Sequence, residues 1–249
     1  MSAEAAESVR PAAAISPIRI TINRILFRGM LFSMGLIAVA MYPFNRGAAW
    51  RFAKASARAL ARVCGVRVRV RGAELLGSGP YIFTPNHQSH FDIAALLGFL
   101  PGNARFAAKK ELFREPILGL VLRTMGMVPV DRDDSGDAIR RFRKLGADGY
   151  STIIFPEGTR SRDERLQPFK KGAFVAAIEL GIPIVPVVCL GTHQIMPKGQ
   201  YLSILPGEVE LVVLEPISTR GMTYDDRDRL RELTFERISA VLAHGRAPG

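Results

Sequence analysis

From Val66 onward the chain alternates short apolar runs with helical stretches, and that alternation limits its fold more than any other feature. Val66-Arg67-Val68-Arg69-Val70 alternates strictly, the pattern of an edge or half-exposed strand. Further strands are predicted at Tyr81–Thr84, Ala104–Ala107, Met127–Val130, Thr152–Phe155, Ile184–Val188 and Val209–Leu214. Helices are predicted at His90–Leu100, Leu112–Thr124, Asp137–Leu145, Lys171–Leu180 and Tyr224–Ala243. Strands separated by helices imply βαβ units, so the expected fold class is α/β, with a largely parallel, mixed sheet flanked by helices. The chain has 249 residues, enough to bury a sizeable core, and its 48% hydrophobic content excludes a disordered protein. Cys64 and Cys189 are too few for a disulfide framework or a four-cysteine zinc site, so a reducing compartment is the default. No repeat, low-complexity tract or interdomain linker is visible. Residues 1–17 read as a disordered start, 18–64 as a separate helical element, 65–243 as the main domain and 244–249 as a frayed tail.

The net charge of +11 is unevenly placed. Residues 1–72 hold twelve Lys/Arg against Glu4 and Glu7, a net +10, and the remaining 177 residues are nearly neutral. The same region holds the most apolar run, sixteen uncharged residues from Gly29 to Phe44, bounded by Arg24 and Arg28 and broken by Pro43. A full helical span needs about 20 apolar residues, so this run is short. A second helix is expected from about Ala48 to Val63. Its Arg51, Lys54, Arg58 and Arg62 share one face, and Trp50, Phe52 and Leu60 supply apolar contacts. An apolar helix, a proline turn and a basic amphipathic helix fit an anchor at an anionic bilayer surface. Two core helices with a solvated basic face are the competing reading of the same residues. A cleaved signal peptide ending at Ala38-Val39-Ala40 would start too late in the chain. Nucleic acid is disfavoured as a partner because the basic segment lacks interleaved aromatics and no zinc-finger or helix-turn-helix pattern is present.

In parallel sheets functional groups gather at the carboxyl ends of the strands, and the unusual residues of this chain fall there. The first constellation is Asn86-His87-Gln88-Ser89-His90-Phe91-Asp92, a turn leading into a helix. A histidine that takes a proton from an alcohol needs an anion on its other nitrogen, and Asp92 stands five residues after His87. Ser89-x-x-Asp92 is equally a capping-box pattern, which would leave Asp92 only closing a helix end. A metal site of His87, His90 and Asp92 lacks a companion carboxylate motif. The second constellation is Phe155-Pro156-Glu157-Gly158-Thr159-Arg160, where glycine permits close backbone approach and arginine presents a fork matched to phosphate or carboxylate. A solvated turn with a local Glu–Arg pair has the same composition. A third stretch, Gly126 to Arg132, puts Arg132 past one strand, and Lys109 and Lys110 lie past another. If these strands are neighbours, Lys109, Arg132 and Arg160 converge on one sheet edge with His87 and suit a phosphorylated substrate.

With Ile182-Pro183-Ile184-Val185-Pro186-Val187 and Pro168-Phe169-Lys170-Lys171-Gly172, these blocks stand in an order that resembles the 1-acyl-glycerol-3-phosphate acyltransferase family, within the wider glycerolipid acyltransferases. The resemblance covers residues 80 to about 190. It implies an αβ acyltransferase domain with a helical N-terminal membrane-binding element. The implied reaction is acyl transfer from acyl-CoA or acyl carrier protein to the sn-2 hydroxyl of lysophosphatidic acid, giving phosphatidic acid. The donor is a substrate, and neither a cofactor nor a metal is implied. In the family pattern His87 is the general base and Asp92 orients it. Arg132, Glu157, Gly158, Thr159 and Arg160 form the acceptor site, with Arg160 and Lys109 near the phosphate. His90 occupies a variable position and has no assigned role. The implied setting is the cytoplasmic face of a membrane, the inner one in a bacterium. Related acyltransferases that use glycerol-3-phosphate, another lysophospholipid or a lyso-aminolipid are the nearest alternatives, and a non-catalytic membrane-surface protein is a remote one.

Overall fold

A computed structural model describes residues 17–131, 135–161, 165–196 and 204–244. In chain order its helices are α1 (Pro17–Met41), α2 (Arg46–Val63), α3 (Phe91–Phe99), α4 (Pro116–Thr124), α5 (Ser135–Ala147), α6 (Gly172–Leu180), α7 (Thr192–Ile195) and α8 (Arg227–His244). Among the described residues seven strands form one sheet: β1 (Val66–Arg71), β2 (Ile82–Pro85), β3 (Ala104–Lys109), β4 (Val128–Val130), β5 (Ser151–Ile153), β6 (Ile184–Leu190) and β7 (Gly207–Val213), in the order β1-β7-β6-β2-β5-β3-β4. Every pairing is parallel except β6 with β7. The mixed α/β sheet expected from the alternation is therefore present, with all seven strands close to their predicted positions.

The central strands are buried on both faces, so they read as continuous apolar runs rather than alternating ones. Successive side chains still point opposite ways. Phe83, Val185 and Val187 join α2 and α3 in one core, while Ile82, Ile184 and Val188 join α6 and α8 in the other. Edge strand β1 is alternating and half-exposed as predicted, and its arginines pair with β7, Arg67 and Arg69 with Glu208 and Arg71 with Glu210. Charge on an edge discourages further strand pairing.

One helical expectation changes. The predicted helix over 112–124 is divided: Lys110–Arg114 forms a tight 3-10 turn and α4 starts at Pro116. Proline suits the first helical position because its missing N–H would have no partner there. The N-terminal apolar helix is longer than its uncharged run, since α1 extends through Arg28 and Arg24 back to Pro17. Its stretch Thr21–Met41 is long and apolar enough to cross a membrane by length and composition, and 12% of that stretch is buried.

The basic face of α2 does not serve one purpose. Lys54 Nζ donates to the carbonyls of Leu100 (2.8 Å) and Gly102 (2.9 Å), and Arg58 Nε donates to Gly98 O (2.6 Å). Two of the four cations expected at a bilayer thus close the C-terminal end of α3, whose last carbonyls lack helical partners and carry the negative end of its dipole. Trp50 and Leu60 are buried against the domain. Buried Arg105 of β3 lies between rings, 3.9 Å from Trp50 and 4.3 Å from Tyr150. Helix α2 is in these respects a docked core helix, whose exposed face still includes Arg46, Arg51 and Arg62.

Candidate active site

Strand β2 lies at the sheet centre and ends at Pro85, which cannot donate a backbone hydrogen bond. Asn86 continues the pairing with its side chain: Oδ1 accepts from Cys189 N (2.7 Å) and Nδ2 donates to Cys189 O (3.2 Å). This amide pins the turn to β6 immediately before His87.

His87 Nδ1 is 2.8 Å from Asp92 Oδ2. The same oxygen accepts from Gln88 N and Ser89 N, each at 2.9 Å. Asp92 is fully buried, while the His87 side chain keeps 13% of its surface exposed. The two readings of Asp92 therefore meet on one atom, which holds the imidazole and closes the backbone turn into α3. Ser89 Oγ adds a bond from Phe91 N (3.1 Å) and donates to Met196 O (3.0 Å). An ionised Asp92 accepts the Nδ1 proton and leaves Nε2 as the acceptor of a proton from elsewhere. Phe155 stacks on the imidazole, with centroids 3.9 Å apart and planes 24° from parallel.

The second constellation follows neighbouring β5 and grips His87 by its backbone. Glu157 Oε1 accepts His87 N–H at 2.6 Å, Glu157 Oε2 accepts Gln167 N–H at 2.9 Å, and Ser161 N–H donates to His87 O at 2.8 Å. Glu157 is 3% exposed. Burial pushes its carboxyl up to about 7 against the pull of the two backbone N–H bonds, and the charge of Asp92 adds to the rise. The family pattern groups Glu157 with the acceptor-binding residues. In the structure Glu157 stands behind His87, with both oxygens engaged by backbone N–H groups, and braces the turn that carries the imidazole.

Gly158 adopts the left-handed conformation, φ 66°. A Cβ there would lie 2.7 Å from Lys170 Nζ, so the missing side chain makes room for a lysine. Lys170 is fixed at its other end by its N–H to Pro156 O (2.8 Å). Thr159 is exposed and Arg160 half-buried. Burial, then the charge of Arg160, then that of His87 hold His90 down at about 4, so His90 is neutral at physiological pH. Lys109 is the exposed last residue of β3, which pairs with β5. Lys110 pairs with Asp131 at 2.7 Å, across β3 and β4. Arg132 lies outside the described residues.

The neighbour order β2-β5-β3-β4 thus brings His87, Glu157–Arg160 and Lys109 to one carboxyl edge, as their positions after strands required. Asn86, Ser161 and Lys170 were not singled out by the sequence. Their signal was a polar residue directly after an apolar strand or facing a glycine, which acquires meaning only when its distant backbone partner is known. Among the described residues no three His, Cys, Asp or Glu side chains are grouped to hold a metal.

The family model described as Acyltransferase matches residues 67–190, the segment that contains all of these groups. A chloroplastic 1-acyl-sn-glycerol-3-phosphate acyltransferase of Brassica napus is 40% identical over 153 residues, covering 59% of this chain and 44% of that one. The alpha 1-acyl-sn-glycerol-3-phosphate acyltransferase of Homo sapiens is 34% identical over 194 residues, covering 74% and 68%. The chain spans less than half the length of the chloroplast relatives it matches. The crystal structure of the 1-acyl-sn-glycerophosphate (LPA) acyltransferase PlsC from Thermotoga maritima superposes with a TM-score of 0.77 at 26% identity, covering 94% of this chain and 99% of that one. Likeness of this depth, over the same strands that carry His87 and Glu157, is inherited: the chain belongs to the acyltransferase family.

Proposed function

We propose that the chain transfers an acyl group from a thioester, acyl-CoA or acyl carrier protein, to the sn-2 hydroxyl of 1-acyl-sn-glycerol-3-phosphate, giving phosphatidic acid at the cytoplasmic face of a membrane. The observation that carries this reading is the 2.8 Å His87–Asp92 pair at the carboxyl edge of β2, with the imidazole partly open to solvent. Asp92 holds Nδ1, so Nε2 accepts the hydroxyl proton as the oxygen attacks the thioester carbonyl. The tetrahedral intermediate collapses with release of the thiolate, which takes the proton back from His87. No acyl-enzyme is required. Arg160 and Lys109, with Arg132, supply cations for the acceptor phosphate. The substrate names of the relatives and the position of Arg160 and Lys109 at one carboxyl edge of the sheet support the phosphorylated acceptor.

The test is acyl transfer by the purified full chain, wild type against His87→Ala, over a panel of lysophosphatidic acid, glycerol-3-phosphate, other lysophospholipids and a phosphate-free lyso-lipid. His87→Ala should lose about 10³-fold in kcat, within the span of general-base contributions. Full activity in that variant would discard the assigned chemistry. Equal turnover of phosphate-free acceptors would discard the phosphate role of Arg160.

A further inference from the structure

Among the described residues, twelve of the sixteen exposed large apolar side chains lie on α1, on its following turn, or on the segment of Leu112 and α4. The α1 share follows from its length and composition. The α4 share does not, because α4 is a short helix within the acyltransferase domain, and such helices normally turn apolar side chains inward. Ile117 (42%), Leu118 (44%) and Leu120 (42%) are exposed together, and Leu112 (40%) lies just before them. Gly119, on the inward side, packs against the Phe113 carbonyl. A cluster of this kind on a soluble protein marks an interaction surface.

We propose that the outer face of α4, with Leu112, contacts the lipid bilayer and continues the surface of α1 onto the acyltransferase domain itself. This rests on the reading of the site as one that acts on a membrane lipid. Three observations carry it. The two helices adjoin, since a methyl on Gly35 of α1 would lie 3.5 Å from Val121 Cγ2 of α4. Charge selects the occupant: residues 17–64, the two N-terminal helices, hold eight Lys/Arg and no acid. Two copies meeting through such an element repel, whereas anionic headgroups attract it. Around the α4 patch itself exposed Arg114 and Arg123 are balanced by exposed Glu111 and Glu115, so the attraction to anionic headgroups comes from the adjoining N-terminal helices. Position supplies the consequence. Leu112 stands three residues beyond Lys109, so the apolar surface begins at the rim of the site. An acceptor lying in the bilayer reaches His87 with its acyl chain still among lipids.

The experiment uses the full chain as wild type, as a Leu118→Glu, Leu120→Glu double variant, and as Tyr224→Glu, an exposed apolar position before α8. Flotation is measured with vesicles of phosphatidylcholine and phosphatidylglycerol. The double variant should lose about tenfold or more in vesicle partition, since binding scales with buried apolar area, while Tyr224→Glu floats like wild type. Flotation of the double variant equal to wild type overturns the proposal. So does a wild-type dimer in light scattering that the double variant splits without any change in flotation. As a probe that leaves the fold intact, Leu118→Cys is labelled with an environment-sensitive fluorophore, which the buried Cys64 and Cys189 permit. Its emission should shift to the blue on vesicles and be quenched by brominated acyl chains, and unchanged emission overturns the proposal. Lysophosphatidic acid turnover by wild type is scored separately. Its absence defeats the proposed function whatever the vesicles show, and its presence with unchanged flotation of the double variant defeats only the α4 surface.

Discussion

At the carboxyl edge of β2 and β5, His87 is gripped at three points, its N–H by Glu157, its carbonyl by Ser161 and its ring by Asp92. Along α1, seven large apolar side chains stand exposed. The first region depends on directional bonds among buried groups, where one missing acceptor leaves donors stranded at a cost of about 1–3 kcal/mol each. The second depends on area, which changes in small increments as single side chains change. Single substitutions should therefore act abruptly in the first region and by degrees in the second. Helix α2 lies between the two. It has the composition of a membrane helix, yet Lys54 and Arg58 are tied to the end of α3.

The largest loss is expected from Asp92→Asn. Asp92 Oδ2 accepts from His87 Nδ1 and from two backbone N–H groups. An amide keeps one acceptor oxygen and adds donors, so the imidazole loses either its orientation or its tautomer. Steady-state kinetics should show kcat reduced about 10³-fold, with vesicle flotation unchanged. A loss of only a few fold would show that the buried bonds around His87 are as forgiving as the exposed face of α1.

Lys54→Met sharpens the intermediate case. Methionine keeps much of the apolar stem and removes both bonds to the end of α3. Urea unfolding should show a stability loss of about 1.5 kcal/mol, the scale of hydrogen bonds from a charged donor, and flotation should not change. The opposite pattern, unchanged stability with weakened vesicle binding, would return α2 to the lipid-facing class with α1.

This case also marks how far the sequence could be read. Helical spacing placed Arg51, Lys54, Arg58 and Arg62 on one face, but spacing does not say what that face meets. The carbonyls of Gly98, Leu100 and Gly102 lie some forty residues away and leave no trace in the spacing. The uncharged run alone understates α1 for a related reason, because it stops at Arg28 while the helix carries Arg28 and Arg24 outward and begins at Pro17, one residue before the helical element expected from residue 18. The strands were legible because β1 alternates strictly between Val and Arg and the others centre on short apolar runs bounded by turn residues. His87 and Asp92 were legible because their contact is local, within one turn. Glu157 was legible as a motif member, but its partners are backbone N–H groups, which every residue has, so its position behind His87 had no sequence signal.

The smallest expected effect separates the two regions by pH. Burial raises the Glu157 carboxyl from its ordinary 4.5 to about 7, so the folded state binds that proton more readily than the unfolded chain does. Its contribution to stability is full below about 4.5 and is lost as pH rises through about 7. His90 behaves oppositely. Held down from 6.5 to about 4, chiefly by burial, it contributes stability that is present above 6.5 and lost as pH falls toward 4. Between about 4.5 and 6.5 the two slopes oppose each other, which leaves the wild type shallow in that range. Single substitutions expose them. Relative to wild type, the urea midpoint of Glu157→Gln should climb as pH rises from 5 to 7, whereas that of His90→Gln should decline over the same steps. Ile25→Ser, at an exposed position of α1 that removes no titratable group, should run parallel to wild type throughout. Parallel curves for all three variants would mean that neither Glu157 nor His90 titrates differently on folding. The directional and area-driven regions would then differ in geometry but not in their coupling to protons.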